Sequence, residues 1–139
     1  MIDHKSLALF LALGMMAVPA FSSPKPPKES KKVIAHKRAK YHRILDAADK
    51  PDNNVHLAFG ELGTYGDESS IPHLISALRL FPDEELSGNV GMICTHAHCV
   101  QDLEQLTGVK VGVSFSSWKA WWENSHPGQP LPTRAQKSH

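Results

Sequence analysis

The sequence predicts an all-α protein of about five helices, and three observations carry that expectation. Apolar residues recur at i, i+3, i+4 and i+7 in successive segments. These segments open on Ser, Thr or Asn side chains able to cap a helix, and close near Gly or Pro. No stretch predicts a strand.

The first segment has a different character. Lys5 precedes an uncharged run at residues 7–18, LALFLALGMMAV. A membrane-crossing helix needs roughly 20 apolar residues, so this run suits the core of a cleavable signal peptide better than an anchor. Pro19 breaks it, and Ala20 and Ser22 put small residues where a signal peptidase inspects the chain. A signal peptide over residues 1–22 is expected, with cleavage after Ala20 as the second choice. No Cys follows the run to take a lipid. The expected product is exported, periplasmic or secreted, without stable membrane insertion after cleavage.

Charge is divided unevenly. Residues 23–43 hold eight Lys/Arg against one acid, Glu29, a net of +7, whereas residues 44–139 hold six against twelve Asp/Glu, a net of −6. A basic arm could engage anionic lipid, nucleic acid or an acidic partner; it could equally be solvated or lean on its own acidic body. Export argues against nucleic acid. Pro24, Pro26 and Pro27 bar a helix, so residues 23–30 are expected to be a disordered basic linker.

A helical domain is expected over residues 31–124. Tyr41, Ile44, Leu45 and Ala48 form the stripe of a first helix ending before Pro51. Asp52, Asn53 and Asn54 offer caps to a second, with Val55, Ala58, Phe59 and Leu62 on one face and a stop at Gly63. Ser69 or Ser70 caps a third, with Pro72 in its first turn and the stripe Ile71, Leu74, Ile75 and Leu78. The second and third read as an antiparallel hairpin. Residues 82–93 keep no period and read as an irregular connection. A fourth helix is expected from about Thr95 to Thr107, with Cys99, Val100, Leu103 and Leu106 inward and Gly108 as its stop. Ser114 to Ser117 cap a fifth, in which Trp118, Trp121 and Trp122 share a face as a structural aromatic cluster. Residues 125–139, with three prolines, read as a disordered tail.

The runs Ala58-Phe59-Gly60-Glu61-Leu62-Gly63, Gly66-Asp67-Glu68 and Ile71-Pro72-His73-Leu74-Ile75-Ser76-Ala77-Leu78 resemble a bacterial HEAT repeat of the phycobilisome-lyase-like type. Cys94-Thr95, His98-Cys99, Leu106-Thr107-Gly108 and the three tryptophans look like the closing segment of small exported HEAT-repeat proteins. The resemblance spans about residues 53–123 and implies a short α-solenoid of HEAT-like hairpins, with the first helix covering one side and the Trp-bearing helices the other. Such repeats are binding scaffolds; nothing in these residues transfers bilin-lyase chemistry.

Cys94, His96, His98 and Cys99 concentrate chemistry within six residues. A metal is one reading, since zinc and copper favour thiolate and imidazole, but on a helix His96 and His98 point apart. A Cys94–Cys99 disulfide is the favoured one. Five positions apart in a continuous helix the Cα atoms are about 8–9 Å from one another, beyond the reach of a bridge, so Cys94 has to precede the helix. Cys99 as a nucleophile with His96 or His98 as base lacks an orienting acid. No catalytic constellation and no cofactor is expected. The sequence therefore points to a non-enzymatic protein-interaction module of the cell envelope, whose partner is another protein; the alternative is a small envelope metal-binding protein using the Cys94/His96/His98/Cys99 cluster.

Overall fold

The computed structural model describes residues 28–81 and 90–133. The expected signal peptide, most of the basic linker and the greater part of the irregular connection lie outside them. Among the described residues the protein is all-α, with five α-helices and no strand. Among these residues no helix is long and apolar enough to cross a membrane.

Helix α1 (Lys31–Asp46) starts where Ser30 Oγ accepts the Val33 N–H, and it buries Tyr41 and Leu45. Helix α2 (Val55–Tyr65) starts at Asn54, whose side chain accepts the Leu57 N–H at 2.9 Å. It passes through Gly63, where a stop was expected, and ends at Gly66. Gly63 is a close-approach residue: a Cβ there would sit 2.7 Å from Asp102 Oδ1 on α4. The missing side chain admits the neighbouring helix.

Asp67 caps the next segment together with Ser70, through a capping box on the 3-10 turn Glu68–Ser70. Helix α3 (Ile71–Ala77) follows with Pro72 in its first turn and runs into a second 3-10 turn, Leu78–Leu80. At seven residues it is shorter than its expected partner α2. Helix α4 (Val90–Thr107) begins five residues before the expected Thr95, so Val90 to Ile93 are helix rather than irregular connection, and Cys94 lies within the helix rather than before it. Gly108, at φ 71°, terminates it. Helix α5 (Phe115–Ser125) is capped by Ser114 Oγ, which accepts from Ser117 N at 3.1 Å.

The helix pairs in close contact are α1 with α2, α2 with α4, α4 with α3, and α3 with α1, with α5 added against α3. The first four contacts close a ring. Helices α2 and α3 are not a close pair, which differs from the hairpin read in the sequence. They share a core across which α1 and α4 lie between them. Phe59, Leu62, Leu74, Ile75, Leu78, Leu103 and Trp118 are fully buried in that core. A short, 3-10-flanked α3 cannot lie along the whole of α2, so each instead meets α1 and α4.

The tail also departs from expectation. Residues 126–132 lie on the helices: Trp122 Nε1 donates to the Gln129 carbonyl at 2.8 Å, and Ser76 Oγ donates to that of Pro132 at 2.9 Å. Arg79 reaches the same Pro132 oxygen, and Leu131 packs on the core. A proline-rich strip lacks donors but keeps its carbonyls, and donors from α3 and α5 find them.

Candidate functional site

The four residues that concentrated the sequence's chemistry are divided by α4. Cys94 and His98 are exposed, whereas His96 and Cys99 are buried. His96 Nε2 donates to the Val113 carbonyl at 2.7 Å, tying α4 to the loop before α5. The Cys99 thiol donates to the Leu74 carbonyl of α3 at 3.4 Å. Burial, then the neighbouring Asp102, pushes that thiol well above its ordinary range, so Cys99 is no thiolate nucleophile. Both cysteines are free. The expected bridge does not form because α4 already runs through Cys94, and a continuous helix holds positions five apart too far from each other. The proposed Cys94/His96/His98/Cys99 metal set is likewise not brought together. Among the described residues no three His, Cys, Asp or Glu side chains converge, as they stand, to hold a metal.

The structure instead pairs His98 with a residue the sequence left single. His56 on α2 sits edge-on to His98, ring centroids 5.0 Å apart at 84°, and its Nδ1 lies 3.2 Å from Thr95 Oγ1. Only the α2–α4 contact creates this pair. Nothing in a 42-residue separation signals it.

A second pair closes the α1–α3 contact. The rings of His42 and His73 stack at 4.1 Å and 15°. His42 Nε2 is bonded to the buried Ser70 Oγ at 2.8 Å, and His73 Nδ1 donates to Asp46 Oδ1 at 2.6 Å. Burial, and then the charge of His73, lowers the His42 pKa to about 4; Asp46 and Asp67 oppose this, and Arg38 adds to it. A ring with a folded pKa below its unfolded 6.5 contributes stability that is complete above pH 6.5 and is lost as pH falls toward 4. About 1 kcal/mol is expected to be gone by pH 5, since solvent screens a half-buried ring. Urea midpoints at pH 7 and pH 5 check this: His42→Gln should gain stability at pH 5 relative to pH 7 by about that amount compared with the parent, and an unchanged difference between the two pH values would refute the assignment. The i, i+4 spacing of His42 and Asp46 was visible in the sequence, but the partner His73 was not.

The tryptophans fasten loops. Trp118 is fully buried with Nε1 donating to the Gly112 carbonyl at 2.9 Å, which holds the turn before α5. Trp122 is buried and holds the segment after it, while the His126 ring stacks on its face at 3.9 Å. Trp121 is half-buried, edge-on to Trp118 at 5.6 Å. Beside them lies a groove of about 290 Å³ lined by Glu123, His126, Gly128, Gln129 and Pro130.

Helix α1 sorts its cations. Lys37 pairs with Glu29 at 2.6 Å and also reaches Tyr65 Oη, and Arg38 pairs with Asp67 at 2.5 Å while donating to the Tyr65 carbonyl. Arg38 thus leans on the acidic body, while Lys37 is paired within the arm and touches the body through Tyr65. Lys32, His36, Lys40 and Arg43 are exposed and have no acidic partner among the described residues. At 100° per residue these four fall within an arc of about 80°, opposite Tyr41 and Leu45, and extend over about 16 Å of helix. Set against known proteins, the chain matches no family model, no curated protein and no solved structure.

Proposed function

We propose that this chain is a non-enzymatic protein-interaction module of the cell envelope, reached by export, and that its partner presents an acidic surface to α1. Its helices would be a compact form of the HEAT-like scaffold that residues 58–63, 66–68 and 71–78 resemble. The observation supporting this is the row Lys32, His36, Lys40 and Arg43. Glu29 pairs with Lys37 and Asp67 of the body with Arg38 on the same helix, yet this row is left exposed with no acidic partner among the described residues. Three Lys/Arg cations with His36 among them, without acidic partners among the described residues, steer an anionic partner and fix its register more than they add raw affinity.

Cross-linking mass spectrometry on the envelope fraction tests the reading, with a carboxyl-to-amine cross-linker at low and high salt. Links from Lys32 and Lys40 to acidic residues of one protein are expected, lost at high salt, and links to that protein from the other lysines of this chain should fall in a Lys32→Glu, Lys40→Glu double variant. Links scattered over many proteins, or equal in the double variant, would count against it. The N-terminus of the protein in that fraction tests export separately: Ser23 is expected as its first residue, and an intact Met1 would oppose cleavage.

A further inference from the structure

We propose that residues 126–132 are a reversible strap seated in a docking cleft for extended proline-rich peptide, and that a partner polypeptide presenting a proline-apolar-proline segment takes the cleft when the strap lifts. The cleft is walled by α3, the 3-10 turn after it and α5. It is independent of the basic row on α1.

Three observations carry it. The first is the form of the strap. Pro130 and Pro132 hold φ at about −65° and push Gln129 and Leu131 into the extended region, so residues 129–132 run as a polyproline-type segment with about three residues per turn. The carbonyls of Gln129 and Pro132 are then one turn apart on one edge, and the body reads that edge. Trp122 Nε1 donates to the first at 2.8 Å, and Ser76 Oγ and Arg79 Nη1 donate to the second at 2.9 and 3.3 Å. Leu131, between the two prolines, packs on the core.

The second is the chemistry of those contacts. An indole N–H and further donors aimed at carbonyls, with an apolar seat between them, is how aromatic-lined grooves take proline-rich ligands, whose preset backbone leaves little entropy to lose. The Arg79 guanidinium is itself held over the Phe115 ring, 4.7 Å from its centroid. None of these contacts requires the segment to be joined to α5. Any chain with the same carbonyls and apolar side chain satisfies them.

The third is the cost of closure at the hinge. The strap turns at His126, Pro127 and Gly128, with Gly128 at φ 83° and the Gln129 N–H returned to the His126 carbonyl at 3.1 Å. In the closed turn His126 stacks on Trp122 with its Nδ1 buried and without a hydrogen-bond partner. The groove of about 290 Å³ lined by Glu123, His126, Gly128, Gln129 and Pro130 lies beside it. An orphaned polar atom and an unfilled groove disfavour the hinge, whereas residues 129–132 are firmly read. A partner segment gains the contacts of residues 129–132 and avoids the orphaned nitrogen. Against it the strap competes through its tether, which keeps its local concentration high.

The test uses the full chain and a fluorescein-labelled peptide of the strap's own sequence, HPGQPLPT, followed by anisotropy. Leu131→Asp expels the strap while leaving the cleft intact, and Gly128→Val strains the turn at a position where no atom lies within 4 Å of an added Cβ. Each variant should bind the peptide at least tenfold more tightly than the parent. In the Leu131→Asp chain, adding Ser76→Ala and Arg79→Ala should weaken binding at least tenfold, as should a peptide with alanine in place of the prolines at 130 and 132. Saturating peptide should also return the Trp122 indole N–H resonance of the Leu131→Asp chain to its position in the parent, which a merely loosened tail would not do. Both variants should keep the parent's circular dichroism, because Gly128 and Leu131 lie outside the helices. Failure of both strap variants to bind the peptide, or equal binding of the alanine peptide, would overturn the proposal. So would a parent chain that dimerises through exchanged straps in sedimentation, since the cleft would then belong to a second copy.

Discussion

Replacing Trp118 by alanine is expected to destabilise the protein by about 3–5 kcal/mol, enough to unfold a small domain at moderate temperature. The indole is fully buried, and its removal leaves a cavity bounded by α3 and α5 as well as the lost transfer energy of a side chain burying on the order of 200 Å². It also strips the Gly112 carbonyl of its donor. Gly112 sits at φ 117°, a conformation that only glycine adopts readily, so the turn has few other means of holding its shape. Trp118→Phe separates the two contributions: it keeps most of the apolar volume, removes the Nε1–H donor, and should cost about 1–2 kcal/mol. Urea denaturation followed by far-ultraviolet circular dichroism measures both. A midpoint unchanged by Trp118→Ala would mean that the indole is not a core residue.

The second large effect runs against the usual direction of acid denaturation. Asp102 on α4 is 6% exposed, and its Oδ2 is buried without a hydrogen-bond partner. Burial pushes its pKa up to about 7 from an ordinary 3.8. The folded protein therefore holds a proton there that the unfolded chain releases between pH 4 and pH 7, and stability from this group falls as pH rises through that window. Above pH 7 the carboxylate is charged in an apolar contact with α2, where Gly63 makes room for it. Asp102→Asn removes the charge at nearly constant volume and should raise stability by on the order of 1–3 kcal/mol at pH 8, with no gain at pH 4. Thermal midpoints at the two pH values decide it. A gain of equal size at both would trace the effect to shape rather than to ionisation. His42 acts in the opposite sense over pH 4 to 6.5, so within that window the two contributions offset each other in the parent protein, and each is read from its own variant.

The HEAT resemblance rests on residues 58–78, yet the helices those residues form meet α1 and α4 more closely than each other. Sequence similarity to a hairpin constrains two amphipathic faces and a short turn. It does not constrain which third and fourth helices enter between them. The same limit explains the tail. Its three prolines removed donors, which is visible in the sequence, but the donors that fix its carbonyls belong to Trp122, Ser76 and Arg79. Gly63 carried a signal that points two ways, since glycine marks both helix ends and close helix contacts, and only the neighbour α4 decides between them.

By itself the sequence determined that this protein is helical, where four of its five helices start or stop to within a few residues, and which apolar stripe each turns inward. Those are local properties, set by the 3.6-residue period and by capping side chains within one turn of each terminus. Tertiary structure alone decided the ring of helix contacts, the division of Cys94 and His98 from His96 and Cys99, and the meetings of His42 with His73 and His56 with His98. These join residues 31 and 42 positions apart. A contact at that range is chosen by how whole helical faces fill a shared core, which no local pattern of residues encodes.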